Sequence, residues 1–195
     1  MSDKRNRTLV IAHGKSEIEL CKAIARLADI GIEIDSNDSG GRTITMSSLP
    51  GRFGSKPYTS ELALSKKFER LEYFGGNRVV EHMPNLRIFP VMDIDGDHEN
   101  RLRYITGEMF KAFPLGRYVT PIYNDDNLDQ VMESIGYGQV VSKKIKTYRK
   151  ISDGITDLMD LYSRLKQCEN TNLEEFVLHC MSHSPIFQGH LDRIK

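Results

Sequence analysis

The chain has 195 residues, 39% of them hydrophobic and 28% charged, which is the composition of an ordinary globular protein with one core. Its 27 basic and 27 acidic residues cancel, so binding to nucleic acid requires a local basic patch rather than a general attraction. No apolar run is long enough to cross a bilayer, and the three cysteines lack the C-x-x-C spacing of a zinc knuckle. We therefore expect a cytoplasmic protein with no disulfide framework and no membrane association.

The first predicted unit is a strand, a tight turn and a helix. Thr8 to Ala12 is a short apolar run of β-forming residues. The helix is predicted over Glu17 to Asp29, with Ser16 and Glu19 at the spacing of a capping box. Ile30 to Asp35 then alternates like a second strand. This beginning favours an α/β fold, whose functional residues lie past the carboxyl ends of the strands.

A long polar segment, Ser36 to Thr59, follows, with a β-like island at Thr43 to Met46. Loops of this length inside a compact domain are often functional. The segment carries Arg42, Arg52 and Lys56 near glycines, where their side chains can meet phosphate oxygens. The alternative is an ordinary solvated loop.

The later elements complete a mostly parallel sheet with helices on both faces. In chain order they are a helix over Ser60–Tyr73, a strand over Leu86–Met92, a helix over Glu99–Phe113, a strand over Arg117–Tyr123 and a helix over Leu128–Ile135. These elements define an α/β domain over residues 7–140. Helices over Ile155–Gln167 and Leu173–Met181 predict a helical C-terminal extension over residues 141–195.

The start of this extension carries a basic cluster, which is either a solvated helix face or a contact for nucleic acid. Its members are Lys143, Lys144, Lys146, Arg149 and Lys150. Besides nucleic acid, the possible binding partners of this molecule include another protein.

The strand over Leu86–Met92 breaks abruptly into Asp93, Asp95 and Asp97 around Gly96. Carboxylates placed so closely repel one another unless water or a cation separates them. Asp93 and Asp95 are two positions apart and therefore lie on the same side of an extended chain. Hard oxygen ligands in this arrangement suit Mg²⁺ or Mn²⁺, although an acidic turn without metal has the same sequence.

The sequence Gly14-Lys15-Ser16 follows the first strand and invites comparison with a nucleotide-binding P-loop. That motif needs an earlier glycine, and this chain has Leu9 at the corresponding position, inside the strand. Without the glycine-rich loop there is no cradle of backbone amides for phosphates, which excludes this class.

Two segments resemble the paired motifs of Toprim domains, the metal-dependent fold of topoisomerases, primases, recombination nucleases and overcoming-lysogenization-defect nucleases. Leu9 to Glu17, L-V-I-A-H-G-K-S-E, is similar to the first motif, in which an apolar strand ends in Glu-Gly. Val91 to Asp97 is similar to the second, a strand that ends in D-x-D and is often followed by Gly. The resemblance covers roughly residues 7–135. The chain is also similar to small defence-associated Toprim proteins of the RloB-like kind, whose Asn-containing turn is comparable with Ile122-Tyr123-Asn124.

One position departs from the family, because His13 stands where the strand-end glutamate is expected. A neutral imidazole transfers protons near neutral pH but is a poorer ligand than a carboxylate for Mg²⁺. Glu17, one helical turn further, is the carboxylate that can replace the missing one. Alternatively, Glu17 only stabilises the start of the helix through the helix dipole.

The resemblance implies a small nuclease, dependent on Mg²⁺ or Mn²⁺, of phage-defence type. The implied catalytic residues are His13, Glu17, Asp93 and Asp95. The predicted metal ligands are Asp93, Asp95, Asp97 and Glu17. The predicted substrate contacts are Asn124, Lys15 on the turn after the first strand, and Arg42 and Arg52 of the long polar segment.

Two other functions stay open at this point. Without the family glutamate, the protein can be a degenerate Toprim domain that binds nucleic acid, a nucleotide or a protein partner without cleavage. The same aspartates also resemble the first motif of haloacid-dehalogenase-like phosphatases, with Asp93 as nucleophile and Asp95 as general acid.

Overall fold

The computed structural model describes residues 8–69, 71, 74–76, 79–83, 85–94, 96, 98–125, 127–137 and 154–187, with the backbone alone for 74–76 and 79–82. Several predictions therefore lie outside the described residues. They concern Asp95, Asp97, the basic cluster from Lys143 to Lys150 and the domain boundary between residues 140 and 141.

Four strands form an all-parallel sheet: β1 (Thr8–Ala12), β2 (Glu33–Asp35), β5 (Arg87–Asp93) and β6 (Ile122–Asn124). Their order across the sheet is β2-β1-β5-β6, which confirms the predicted α/β class. Two further strands, β3 (Phe74–Gly76) and β4 (Val79–His82), form a separate antiparallel pair. Parallel neighbours bring all four carboxyl ends to one edge of the sheet, which we call the carboxyl edge.

Helices follow or connect these strands. They are α1 (Lys15–Leu27), α2 (Leu49–Phe53), α3 (Glu61–Lys67), α4 (His98–Ile105), α5 (Leu128–Ser134), α6 (Leu158–Leu165) and α7 (Leu173–Ser182). Within the described part of the chain, no helix combines the length and the apolar character needed to cross a membrane.

The two faces of the sheet are covered by different helices. Val10 and Phe89 belong to one buried cluster, which α1, α5, α6 and α7 complete. Leu9 and Ile88 point the opposite way, into a second cluster completed by α2, α3 and α4. The C-terminal helices α6 and α7 are thus part of the packing of the central strands, because they share a core with β1.

Two of the helix boundaries that differ from the sequence prediction have local causes. Helix α1 begins at Lys15, because the Glu17 carboxylate accepts a hydrogen bond from the Gly14 N–H at 2.8 Å; the predicted capping box at Ser16 is wrong. Helix α4 ends at Ile105, and Gly107 follows with a left-handed φ of 71°.

The predicted strand over Arg117–Tyr123 is observed only as Ile122–Asn124. Its first half is a 3₁₀ turn, Gly116–Tyr118, in which Arg117 and Tyr118 both donate hydrogen bonds to Glu61. The β-like island at Thr43–Met46 is not a strand either.

Candidate functional site

Three polar side chains meet at the carboxyl edge because their strands end in register. Asp93 is the last residue of β5 and pairs with Asn124, the last residue of β6. His13 follows β1, and its backbone N–H donates to the carbonyl of Val91 at 3.1 Å. In open parallel sheets this edge is the usual place for a ligand site.

Asp93 and Asn124 are joined directly by their side chains. The Asn124 amide, which is fully buried, donates from Nδ2 to Asp93 Oδ1 at 3.1 Å. The backbone N–H of Leu128, the first residue of α5, donates to the same oxygen at 3.2 Å. Both bonds fall on Oδ1, so Asp93 is oriented through one oxygen.

Glu17 brings a second carboxylate to this edge from the first turn of α1. Its side chain is only 1% exposed and accepts hydrogen bonds from the Gly14 N–H and the Ser16 hydroxyl. Asp93 has the same parity along β5 as Phe89, so it faces the side of the sheet that α1 covers.

The negative charge of Glu17 acts on Asp93 across the carboxyl edge. Burial first, and then the negative charge of Glu17, raise the pKa of Asp93 from an ordinary 3.8 to about 6. The hydrogen bonds from Asn124 and Leu128 and the electrostatic interaction with His13 act in the opposite direction and lower the pKa of Asp93. Burial and the charge of Glu17 also raise the pKa of the Cys21 thiol, one helical turn along α1.

His13 is fixed in one tautomer by the loop that follows β2. Its Nδ1 lies 2.8 Å from the carbonyl oxygen of Ile44, and its own carbonyl accepts from the Ile44 N–H at 2.9 Å. A carbonyl can only accept a hydrogen bond, so Nδ1 carries the proton of the neutral ring. Nε2 therefore holds the lone pair, which is available to a proton or to a ligand.

The described donors suit a hard cation. Glu17 and Asp93 supply two carboxylates, and within the described ranges neither forms a salt bridge with a lysine or an arginine. Mg²⁺ characteristically takes one or two protein carboxylates and keeps several waters. No group of three His, Cys, Asp or Glu side chains poised for a metal is found among the described residues, which leave out Asp95 and Asp97.

The predicted substrate contacts have different surroundings. Lys15 is exposed at the start of α1, beside His13. Arg52 instead forms an ion pair with Asp35 at 2.5 Å and donates to Asn37 at 2.6 Å.

Asp35, the last residue of β2, also accepts from the buried Tyr58 hydroxyl at 2.6 Å. The guanidinium of Arg52 therefore ties the long loop to the end of β2. Arg42 pairs with Asp38 at 3.0 Å, and both side chains are largely exposed.

Sequence reasoning missed a segment that covers the outer edge of β6, Asn170 to Asn172. The Asn172 side chain accepts from the Tyr123 N–H and donates to the Pro121 carbonyl. Thr171, the middle residue of this segment, places its hydroxyl 3.0 Å from Asn124 Oδ1. The only signal in the sequence was the Asn-Thr-Asn run before α7, which reads as an ordinary helix start.

The histidine pair on α7 lies at the opposite edge of the sheet. Nε2 of His179 is 2.8 Å from the hydroxyl of Thr8, the first residue of β1. Burial, and then the positive charges of His183 and Arg87, lower the pKa of His179 to about 3. This neutral, partly buried ring packs on Phe89 and takes no part in the candidate site.

Comparisons of this chain with protein-family models, with curated proteins and with solved structures find no match. We therefore infer the function from the chemistry of the candidate site.

Proposed function

We propose that this protein is a small nuclease that performs divalent-metal-dependent phosphodiester chemistry on nucleic acid. The observation that carries the proposal is the buried carboxylate of Glu17 beside Asp93 at the carboxyl edge. Keeping two like charges together costs free energy in the absence of a cation. A bound Mg²⁺ or Mn²⁺ would offset this repulsion, which explains why the two carboxylates lie together. The two-part resemblance to Toprim domains also favours a site for a divalent metal.

Each described residue has a distinct role in this proposal. Glu17 and Asp93 hold the cation, which supplies positive charge at a phosphodiester oxygen and at the attacking water when it is bound. His13 accepts a proton at Nε2, since its Nδ1 is committed to the Ile44 carbonyl. Lys15 contacts a neighbouring phosphate, and Asn124 orients Asp93.

The proposal includes a location, a biological role and a partner. We propose that the protein acts in the cytoplasm, in phage defence, and that its partner is nucleic acid. The basic cluster from Lys143 to Lys150 is the proposed local contact for the phosphate backbone, since the chain has no net charge to attract it.

The test is cleavage of plasmid DNA and of structured RNA with Mg²⁺ or Mn²⁺. The double variant Asp93→Ala, Asp95→Ala is expected to lower the rate at least about 100-fold, because the cation contributes several kcal/mol to the barrier. Glu17→Gln should do the same. Its matched control is Glu19→Gln on the same helix, where Glu19 pairs with Lys22 in solvent and should not matter.

Three outcomes oppose the proposal. If a divalent cation neither raises the melting temperature nor supports cleavage, the metal site is wrong. If the cation raises the melting temperature without cleavage of DNA or RNA, the protein is a binding protein. Hydrolysis of a small phosphomonoester through a trapped phosphate on Asp93 would identify a phosphatase instead.

A further inference from the structure

Asn124 is a fully buried amide whose two ends face different partners. Its Nδ2 donates to Asp93 Oδ1 at 3.1 Å, and its Oδ1 lies 3.0 Å from the hydroxyl of Thr171. A buried amide needs partners for both its donors and its acceptor. The hydroxyl of Thr171 is the donor that satisfies the acceptor end.

The orientation of this amide matters because Asp93 is charged. If the amide were reversed, its carbonyl oxygen would face Asp93 Oδ1, and two acceptors would oppose each other without a proton between them. The carboxylate would lose one of the two bonds that fix Oδ1, leaving only the N–H of Leu128. Whatever discriminates between the ends of Asn124 therefore controls the geometry of Asp93.

Thr171 is itself held firmly enough to perform this discrimination. Its Oγ1 accepts from the backbone N–H of Leu173 at 3.1 Å. The hydroxyl proton is shared between Asn124 Oδ1 and the carbonyl of Tyr123, which lies 2.7 Å away. The side chain is 4% exposed, so water does not compete for these bonds.

We propose that Thr171 is a positioning residue of the candidate site, acting from the C-terminal part of the chain through the amide of Asn124 on the carboxylate of Asp93. The hydroxyl keeps Nδ2 of Asn124 directed at Oδ1. Asp93 Oδ2 is then left to face the ligand. The consequence for metal affinity rests on the proposed function, whereas the orientation of the amide does not.

The orientation can be read in the wild-type protein by NMR. Nδ2 of Asn124 and the backbone N of Leu128 donate to the same oxygen, so their protons lie close together. A nuclear Overhauser effect between the Asn124 side-chain amide protons and the Leu128 amide proton is expected. If those protons instead show contacts to the Thr171 side chain and none to Leu128, the amide is reversed and the proposal is wrong.

Three variants separate positioning from folding. Thr171→Val keeps the volume but removes the hydroxyl, so the Leu128 contact of Asn124 should weaken and the Kd for Mn²⁺ should rise about tenfold. Thr171→Ser restores the hydroxyl and should bind Mn²⁺ within about twofold of wild type. Asn172→Ala loosens the same segment without touching Asn124, so it should lower the melting temperature but leave the Kd nearly unchanged.

The results distinguish this proposal from the proposed function. Wild-type protein that binds no Mn²⁺ refutes the metal site, and the NMR contact still decides whether Thr171 orients Asn124. If Thr171→Val fails to fold, the wild-type contact decides alone. An unchanged Leu128 contact in Thr171→Val, or an equal loss of affinity in Asn172→Ala, would show that the hydroxyl has no specific role.

Discussion

His13 has a packing role and a chemical role on different ring atoms, which makes them separable by mutation. Nδ1 binds the Ile44 carbonyl, while Nε2 is the atom assigned to proton transfer. His13→Asn places an amide N–H where Nδ1 was and removes Nε2. We expect the melting temperature to change little and the cleavage rate to fall about 100-fold or more.

The control for this prediction is His183→Asn, at the opposite edge of the sheet. Its Nδ1 also lies near a backbone carbonyl, that of His179, at 2.9 Å. This variant should cleave at the wild-type rate. Equal activity of His13→Asn and wild type would remove His13 from the chemistry.

Asp93 should make the protein less stable as pH rises. Its folded pKa of about 6 exceeds the value of about 3.9 for an unfolded aspartate, so the folded protein binds the proton more tightly. The stability that Asp93 contributes is full below about pH 4 and is lost as pH rises through about 6. Asp93→Asn removes this loss, and we expect its free energy of unfolding, relative to wild type, to be about 2 kcal/mol higher at pH 8 than at pH 4.

Urea unfolding of both proteins between pH 4 and pH 8, without divalent cations, measures this difference. Asp160 is a control of opposite sign, because hydrogen bonds from Tyr137 and Arg164 lower its pKa. Asp160→Asn should lose stability relative to wild type as pH rises from 3 to 5. Parallel pH profiles for Asp93→Asn and wild type would mean that Glu17 and burial do not act on Asp93.

Among the elements, those with a strong local pattern were predictable. Strand β1 has the predicted bounds, because five consecutive apolar or β-branched residues have no competing local structure. The strand predicted over Arg117–Tyr123 was too long, because the contacts of Arg117 and Tyr118 with Glu61 involve a residue more than fifty positions away. Local patterns do not contain such contacts.

The candidate site likewise has features that local sequence patterns predict and contacts that they do not. The ends of β1 and β5 were recognisable because apolar strands stop at polar residues, and the possible role of Glu17 followed from its place one turn into a helix. The contact between Thr171 and Asn124 was not predictable, since it depends on how α7 packs beside β6. Positioning contacts of this kind appear only when the chain is folded.

The loop after β2 gives a prediction at the scale of an element. Arg52 donates to both Asp35 and Asn37, and Asp35 is 5% exposed, so removing the guanidinium leaves a buried carboxylate with less compensation. We expect Arg52→Ala to lower the free energy of unfolding by about 2 kcal/mol. Arg52→Lys should not restore it, because an ammonium group lacks the planar fork that reaches two acceptors.

Arg42→Ala is the matched control in the same loop. The Arg42 side chain is 81% exposed and its partner Asp38 is 64% exposed, so we expect a change within about 0.5 kcal/mol. Urea unfolding measures both variants. If Arg52→Ala is as stable as wild type and only binds nucleic acid more weakly, Arg52 is a substrate contact rather than a loop anchor.

At the scale of the whole molecule, the central strands couple two cores that lie on opposite faces of the sheet. Phe176 on α7 is fully buried and packs edge-on against Phe89 of β5, with ring centroids 5.2 Å apart. We expect Phe176→Ala to lower the free energy of unfolding by about 3 kcal/mol. Ile186→Ala, at a side chain that is 58% exposed, should change it by less than about 0.5 kcal/mol.

Whether Phe176→Ala also destabilises the opposite face of the sheet tests whether the C-terminal helices fold with the rest of the chain. Leu64 and Tyr104 are buried in the cluster on the other face of the sheet. Because β1 and β5 contribute side chains to both clusters, unfolding should be one cooperative transition. Native-state hydrogen exchange of the Leu64 and Tyr104 amides, where it proceeds by global unfolding, should then accelerate in Phe176→Ala by the same free energy as urea unfolding reports. Unchanged protection of these amides, or two separate transitions, would show that the C-terminal helices form an independent unit.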